Sequence, residues 1–183
     1  IKDFTFNPKP KNYFAWLGRI HYGKGMWEAV HASKETKSNL IAAGNITCES
    51  DEKYFKTVEP MIDGKKRKYI GEVGPKEKNK LLRGAKALLF PIRWEEPFGL
   101  VMAEAMACGT PVIAFRRGSV PEIVKHGVTG FVVEDEKGLI EAIKNISKIN
   151  RAECRKHVEK HFTIERMVDA YEEVYVKIIN AKK

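Results

Sequence analysis

Two carboxylates, Glu96 and Glu104, stand with seven residues between them, one on each side of a Phe-Gly-Leu turn. The small apolar residues after this turn predict a helix that begins there. The amino terminus of a helix offers unpaired N–H groups and a partial positive charge, and both attract phosphate. Gly99 leaves room for a ligand to approach the backbone, and Glu104 lies about 7–8 Å farther along the helix axis. The pattern favours a ligand with hydroxyl groups at each end and a diphosphate between them, as in a nucleotide sugar.

A purely structural interpretation of the two carboxylates is the alternative. Glu96 could cap the helix as an N-terminal acid, and Glu104 could face solvent. The neighbours of Glu104 weaken this alternative, because residues 101–103 and 105–107 are all apolar and indicate a largely buried helix. A carboxylate on a buried helix usually has a partner, so the ligand-binding interpretation is favoured.

A second candidate site is the glycine-rich turn from Gly18 to Gly25, which follows the first predicted strand. It carries Arg19 and Lys24. The planar guanidinium of an arginine and the compact ammonium of a lysine both suit a diphosphate. The Gly-x-Gly-x-x-Gly pattern of dinucleotide-binding folds does not occur in the sequence. An ordinary basic loop between a strand and a helix is the alternative.

A third group of residues could form a metal site. Cys154, His157 and His161 would lie on one face of a predicted helix, as metal ligands can. No fourth ligand is near in the sequence, and lysines flank the group. We therefore interpret the three as surface residues of a helix and expect no metal.

The composition indicates the class of protein. Of 183 residues, 43% are hydrophobic and 31% are charged, as expected for one soluble globular domain. No apolar run approaches the ~20 residues that span a bilayer, and the start of the chain does not resemble a signal peptide. Three scattered cysteines are too few for a disulfide framework. We therefore expect a cytoplasmic protein.

The formal net charge of +9 raises the question of a nucleic-acid partner. The densest basic cluster, residues 65–68, follows an Asp-Gly turn and leads into a predicted strand. The other lysines alternate with glutamates, as on solvated helix faces. We expect no nucleic acid. Attraction to a polyanionic ligand or to anionic lipid headgroups, and so a peripheral association with a membrane, explains the charge better.

Short apolar strands alternate with helices along the chain. Residues 1–12 contain two prolines and are interpreted as an extended linker, and residues 13–183 as the domain. Strands are predicted at 13–17, 40–43, 68–71, 87–92, 112–115 and 130–133, and helices at 26–37, 51–61, 76–86, 98–108, 120–125, 137–149, 151–161 and 164–179. This order predicts an α/β fold, a Rossmann-like doubly wound parallel sheet of about six strands with helices on both faces. Ligands of such sheets bind beyond the carboxyl ends of the strands.

Four blocks of the chain resemble the retaining glycosyltransferases of the GT-B fold, in the large family four group. The blocks are "WLGRIHYGKG", "YIGEVGPKEKNKLLRGAKALLFP", "EEPFGLVMAEAMACGTPVIA" with its Glu-x7-Glu signature, and "GSVPEIVKHGVTGFVV". They occur in the family's order and cover nearly the whole chain. The resemblance implies the carboxyl-terminal, donor-binding half of a two-domain enzyme, whose amino-terminal acceptor domain is absent from this chain. It also implies that the last helix, whose long apolar stripe one domain would not cover, crosses to the other half.

The same resemblance implies roles for the candidate residues. Arg19 and Lys24, beside Gly18, would bind the phosphates of the donor. Glu96 would reach hydroxyls of the transferred sugar, and Glu104 would hold the ribose. The amides of three residues would face the sugar and the phosphate: Phe98, Gly99 and Leu100. Catalysis would rest on Glu96, Arg19 and Lys24, without a divalent metal or another cofactor.

Two further features, Glu95 and the loop at Gly118, bear on the assignment of the carboxylates. Glu95 is adjacent to Glu96, but only Glu96 stands directly before Pro-Phe-Gly, as the signature requires. The loop at Gly118 resembles the family's Gly-x-x-x-Glu loop, although Arg117 stands where related chains often have a second glycine. Arg116 or Arg117 could touch the ligand, and exposed loop cations are the favoured interpretation.

The resemblance implies transfer of a hexose from a nucleotide sugar to a glycan or lipid-linked acceptor. A mannosyl donor such as GDP-mannose is the first expectation, at the cytoplasmic face of a membrane. Two alternatives stay open at this point. One is a sugar-nucleotide epimerase of the GT-B fold, and the other is a non-catalytic module that binds a nucleotide or a phosphosugar.

Overall fold

Six parallel strands form one sheet in the computed structural model, which describes residues 3–181. The strands are β1 Phe14–Leu17, β2 Leu40–Ala43, β3 Arg67–Tyr69, β4 Leu88–Phe90, β5 Val112–Phe115 and β6 Gly130–Val133. The α-helices are α1 Met26–Glu35, α2 Glu49–Val58, α3 Pro75–Gly84, α4 Leu100–Ala107, α5 Val120–Ile123, α6 Glu136–Asn145, α7 Arg151–His161 and α8 Ile164–Ala181. Three 3-10 turns cover Tyr22–Lys24, Glu59–Met61 and Ile146–Lys148. Residues 1, 2, 182 and 183, at the two ends of the predicted linker and domain, lie outside the described residues.

The strand order is β3-β2-β1-β4-β5-β6, and every neighbouring pair is parallel. The chain therefore moves outward from β1 to β3, returns to β4 beside β1, and moves outward again to β6. The direction reverses between β1 and β4, which opens a crevice at their carboxyl ends. The predicted doubly wound sheet is confirmed.

Two helix layers cover the sheet. Helix α1 packs against α2 and α6, and α4 packs against α3 and α7. The four residues of β5 are all buried, as expected for a central strand with helices on both faces. Strand β4 ends at Phe90, before the predicted end at 92, because Pro91 has no N–H for the ladder.

The amino-terminal segment, residues 3–12, has no helix or strand, yet it is attached to the domain. The amide of Asn7 donates to the carbonyl of Cys108 at 3.1 Å, and the carbonyl of Asn7 accepts from Nε of Arg151 at 2.7 Å. Arg151 is buried and also donates to the carbonyls of Arg83 and Ala85, at the carboxyl end of α3. Burial lowers the pKa of Arg151, and the partial negative charge of this helix end favours its cationic form. The segment is therefore fixed to the domain rather than free.

Helix α8 has no buried residue. Its apolar side chains are exposed over the whole length: Ile164, Met167, Val168, Tyr171, Val174, Tyr175, Val176, Ile178 and Ile179. The domain leaves the predicted apolar stripe uncovered. Across residues 3–181, no helix has the length and apolar character needed to cross a membrane.

Candidate functional site

A cleft of about 380 Å³ opens at the carboxyl ends of β1, β2, β3 and β4. Seven of the eight predicted donor-binding residues line it: Gly18, Arg19, Lys24, Glu96, Gly99, Leu100 and Glu104. The eighth, Phe98, does not line the cleft. Its carbonyl accepts from the hydroxyl of Ser119 at 2.9 Å, and its ring packs edge-on against Phe162. Phe98 thus contacts the loop at Ser119 and the residue that follows α7, rather than the cleft.

Glu96 and Lys24 form an ion pair inside this cleft. The ammonium Nζ of Lys24 lies 2.6 Å from Oε2 of Glu96, and the indole Nε1 of Trp94 donates to the same oxygen at 2.9 Å. The ammonium also lies 4.7 Å from the centre of the Trp94 ring. Glu96 is buried, so both donors stabilise its charge in a partly water-excluded position.

The adjacent Glu95 binds the backbone of a neighbouring loop. Its Oε2 accepts from the amide of Gly118 at 2.5 Å, and the carbonyl of Glu96 accepts from the amide of Ser119 at 2.9 Å. A Cβ on Gly118 would lie 2.3 Å from the Glu96 carbonyl oxygen, so only glycine fits there. The loop at Gly118 therefore supports Glu96 through the side chain of Glu95 and the carbonyl of Glu96.

Helix α4 begins at Leu100, four residues after Glu96, so the interpretation of Glu96 as an N-cap is wrong. The N-cap residue is Gly99, with φ +74°, and no side chain caps the helix among the described residues. A Cβ on Gly99 would lie 2.7 Å from Cε of Met102. The first N–H groups of α4 thus border the cleft without a capping acceptor, together with the positive end of the helix dipole.

Arg19 makes a bidentate ion pair with Asp51. Its Nε lies 2.8 Å from Oδ2 and its Nη2 lies 3.1 Å from Oδ1. Asp51 is fully buried at the start of α2, where the amide and hydroxyl of Thr47 also donate to it. The Arg19 guanidinium, with these donors, holds the pKa of Asp51 well below its usual range. Asp51 therefore fixes a guanidinium whose side chain is still half exposed toward the cleft.

Glu104 has the partner that its buried helix requires. Oε1 of Glu104 accepts from Nζ of Lys78 at 2.6 Å. Lys78 belongs to α3 and lines the cleft, and its ammonium lies 5.5 Å from the ring of Phe4. Sequence analysis did not identify this lysine as a site residue, because nothing in its local pattern distinguishes it from the other charged residues of the helix that follows β3. Glu72 and Val73, which follow β3, also line the cleft.

The loop cations Arg116 and Arg117 do not line the cleft. Nε of Arg116 donates to Glu134 at 2.5 Å, and Nη1 of Arg117 donates to the carbonyl of Arg116. Both arginines are exposed. The favoured interpretation as loop cations agrees with these positions.

The candidate metal ligands of α7 differ in their burial. Cys154 is fully buried, with Sγ 3.6 Å from the carbonyl of Thr129, so its interpretation as a surface residue is wrong. The reason is that α7 packs its Cys154 side toward the core, against α4. His157 contacts the carbonyl of Ile123 at 3.0 Å, and burial lowers its pKa. No group of three or more metal-ligating side chains occurs in the described part of the chain.

The family model described as "Glycosyl transferases group 1" matches residues 1–161. The chain belongs to this family. It is 36% identical over 104 residues to the N-acetyl-alpha-D-glucosaminyl L-malate synthase of Bacillus anthracis, a match that covers 52% of this chain and 27% of that protein. It is 29% identical over 187 residues to an uncharacterized glycosyltransferase of Methanocaldococcus jannaschii, over 97% of this chain and 51% of that protein.

Solved structures of the GT-B type share the fold of this group 1 chain. The Anabaena protein Alr3699/HepE, solved in complex with UDP and glucose, superposes with a TM-score of 0.79 at 20% identity. The superposition covers 91% of this chain and 48% of that one. The chain thus spans between about a quarter and a half of these relatives' lengths.

Proposed function

We propose that this domain binds the nucleotide-sugar donor of a retaining glycosyltransferase of family four. The observation that carries the proposal is the composition of the cleft at the reversal point of the sheet. Two cations, Arg19 and Lys24, and the uncapped start of α4 supply positive charge there, and Glu96 and Glu104 flank it. A diphosphate with a hydroxylated group at each end matches this order of charges.

We propose that the sugar end of the ligand lies at Glu96 and the nucleoside end at Glu104. Glu96 would accept from hydroxyls of the sugar, and Glu104, farther along α4, from the ribose. The base would then extend toward Glu72 and Val73, which also line the cleft. In the reaction, the bond between the sugar's anomeric carbon and the diphosphate oxygen breaks, and an acceptor oxygen bonds to that carbon. The proton of the acceptor hydroxyl passes to the leaving diphosphate, on which negative charge grows. Arg19, Lys24 and the helix amides would stabilise that charge without a metal, while Glu96 positions the sugar.

The donor, the acceptor and the location are finer parts of the proposal. We propose a hexose donor, with GDP-mannose as the first candidate and UDP-glucose, suggested by the UDP and glucose in HepE, as its competitor. The acceptor would be a glycan or a lipid-linked glycan held by a second domain, in keeping with relatives about twice as long. The whole protein would act in the cytoplasm, and its net charge of +9 would favour contact with anionic lipids.

Calorimetric titration of the full-length protein tests the proposal. GDP, UDP and ADP are titrated first, followed by GDP-mannose and UDP-glucose. We expect one diphosphate to bind better than the others and its nucleotide sugar to bind at the same site. Absence of heat with all three diphosphates at millimolar concentration contradicts donor binding. Binding without any transfer to added glycan acceptors favours the non-catalytic module instead.

A further inference from the structure

Trp94 stands two residues before Glu96, and its side chain is half exposed. Its indole N–H and the ammonium of Lys24 both donate to Oε2 of Glu96, at 2.9 and 2.6 Å. The other carboxylate oxygen of Glu96, Oε1, receives no hydrogen bond from the described residues. The carboxylate therefore has one occupied oxygen and one available acceptor.

The two donors also support each other. Lys24 lies over the face of the Trp94 ring, 4.7 Å from its centre, a position in which the electrons of the ring attract a cation. The same ring therefore directs a donor to Glu96 with its edge and holds the second donor with its face. Removal of the N–H alone leaves the cation contact intact, so the two effects can be separated by substitution.

The cluster joins two loops that come from different strands. Lys24 belongs to the turn after β1, where its carbonyl accepts from Nε1 of the buried Trp16 at 3.1 Å. Trp94 belongs to the loop after β4, where the amide of Arg93 donates to the carbonyl of Gly23 at 2.9 Å. Both backbones are thus fixed, and the orientation of the Glu96 carboxylate depends on the side chains of Lys24 and Trp94.

We propose that Trp94 is a positioning residue for sugar recognition. Its indole N–H, together with Lys24, occupies Oε2 of Glu96 and so presents Oε1 to a hydroxyl of the donor's sugar. The inference rests on the proposed function. A carboxylate with one donor fewer can turn, and then Oε1 no longer meets the hydroxyl in the same geometry. Binding of a free diphosphate does not involve this oxygen.

The test compares Trp94→Phe with Trp27→Phe in the full-length protein. Phenylalanine at 94 keeps a ring beneath Lys24 and removes the N–H donor. Trp27 is half-buried in α1, outside the cleft lining, and its indole N–H has no hydrogen bond to a described residue, so it is a matched control. The probes are GDP with GDP-mannose and UDP with UDP-glucose, and kcat and KM are measured with the sugar that the wild type transfers.

We expect Trp94→Phe to keep the affinity for the free diphosphate within about twofold, and to lower the affinity for the nucleotide sugar and kcat by about tenfold. In the NMR spectrum of the ligand-free protein, the indole N–H signal of Trp94 is assigned by its absence from Trp94→Phe. This signal should shift in Glu96→Gln. Equal nucleotide-sugar affinity and turnover in Trp94→Phe and Trp27→Phe would overturn the inference and leave the proposed function intact. So would an equal loss of affinity for both ligands. If the wild type binds no diphosphate, the proposed function fails, and this inference fails with it.

Discussion

Arg19 and Asp51 meet in a two-pronged ion pair that connects the turn after β1 to the start of α2, with Nε–Oδ2 at 2.8 Å and Nη2–Oδ1 at 3.1 Å. The carboxylate is fully buried, whereas the arginine side chain is about half exposed. The buried partner thus limits where the guanidinium can go, and the exposed part remains free to meet an anion. A ligand phosphate would find this cation already oriented.

Asp51→Asn should therefore weaken diphosphate binding and lower stability at neutral pH, because Arg19 loses its anchor. The folded pKa of Asp51 is depressed, so its contribution to stability is present above the unfolded pKa of about 3.9 and is lost as pH falls toward the folded value. Melting temperatures from pH 7 to pH 3 check this. The difference between wild type and Asp51→Asn should shrink below about pH 4. Asp169→Asn, on exposed α8, is the control, and a difference that does not depend on pH would refute the anchoring role.

Lys24→Ala should weaken diphosphate binding by at least ~1.5 kcal/mol, the magnitude for a hydrogen bond to a charged group. Its melting temperature should fall only modestly, because the lysine is not part of the core and Glu96 keeps the indole N–H of Trp94 as a donor. Titration and thermal unfolding are measured together, with substitution of the exposed Lys34 of α1 by alanine, Lys34→Ala, as the control. A Lys24→Ala protein that unfolds early but binds normally would show that this loop is structural.

The two cleft carboxylates should respond differently to loss of charge. Glu104→Gln should weaken the free diphosphate and the nucleotide sugar alike, by about tenfold, because both contain the ribose. Glu96→Gln should leave the free diphosphate almost unchanged and lower turnover strongly, since sugar positioning matters most at the transition state. Affinities for both ligands and turnover of the full-length protein are measured, with the exposed Glu52→Gln as the control. Equal losses of diphosphate affinity in both variants would rule out this division of roles.

Gly118→Ala should reduce turnover more than a substitution that introduces the same backbone strain at another glycine. Gly118 has φ +49°, and a Cβ there would collide with the backbone of Glu96. Gly127 has φ +76° with open space around it, so Gly127→Ala carries the strain of about 1–2 kcal/mol without the collision. Both variants should lose stability, but only Gly118→Ala should displace Glu96 and slow the reaction. The test is to measure turnover of both variants at a temperature at which both are folded. Equal rates would mean that the loop at Gly118 does not support Glu96.

The sequence predicted the sheet well because its strands are short apolar runs between clear turn signals. The bounds of β2, β5 and β6 agree with the prediction residue for residue. The cleft lining followed from the same pattern, because the carboxyl ends of parallel strands share one edge of the sheet. Gly99 was recognisable from its place at the predicted start of a helix, and Gly118 from the resemblance of its loop to the family's Gly-x-x-x-Glu loop.

The partners of the site residues could not be predicted in this way. Asp51 and Lys78 lie 32 and 26 residues from Arg19 and Glu104 and belong to other helices, so no local spacing connects them. Both had the appearance of ordinary charges on solvated helix faces. The burial of Cys154 was missed for the same reason, because the packing of α7 against α4 selects which side of the helix is covered. The spacing of apolar residues predicts that a helix has a buried face. In α7, the charged residues at positions 155 and 156 obscured the fact that Cys154 lies on that face.

The hydrogen bond between Arg151 and Asn7 has a consequence for the order in which the protein is made and folds. The two residues are 144 positions apart, so the amino-terminal segment leaves the ribosome long before α7 exists. Until Arg151 is synthesised, Asn7 and the carbonyls at the end of α3 lack this donor, and closing so long a loop is entropically costly. We therefore expect the attachment of residues 3–12, which can begin with the bond from Asn7 to Cys108, to be completed only when α7 has formed.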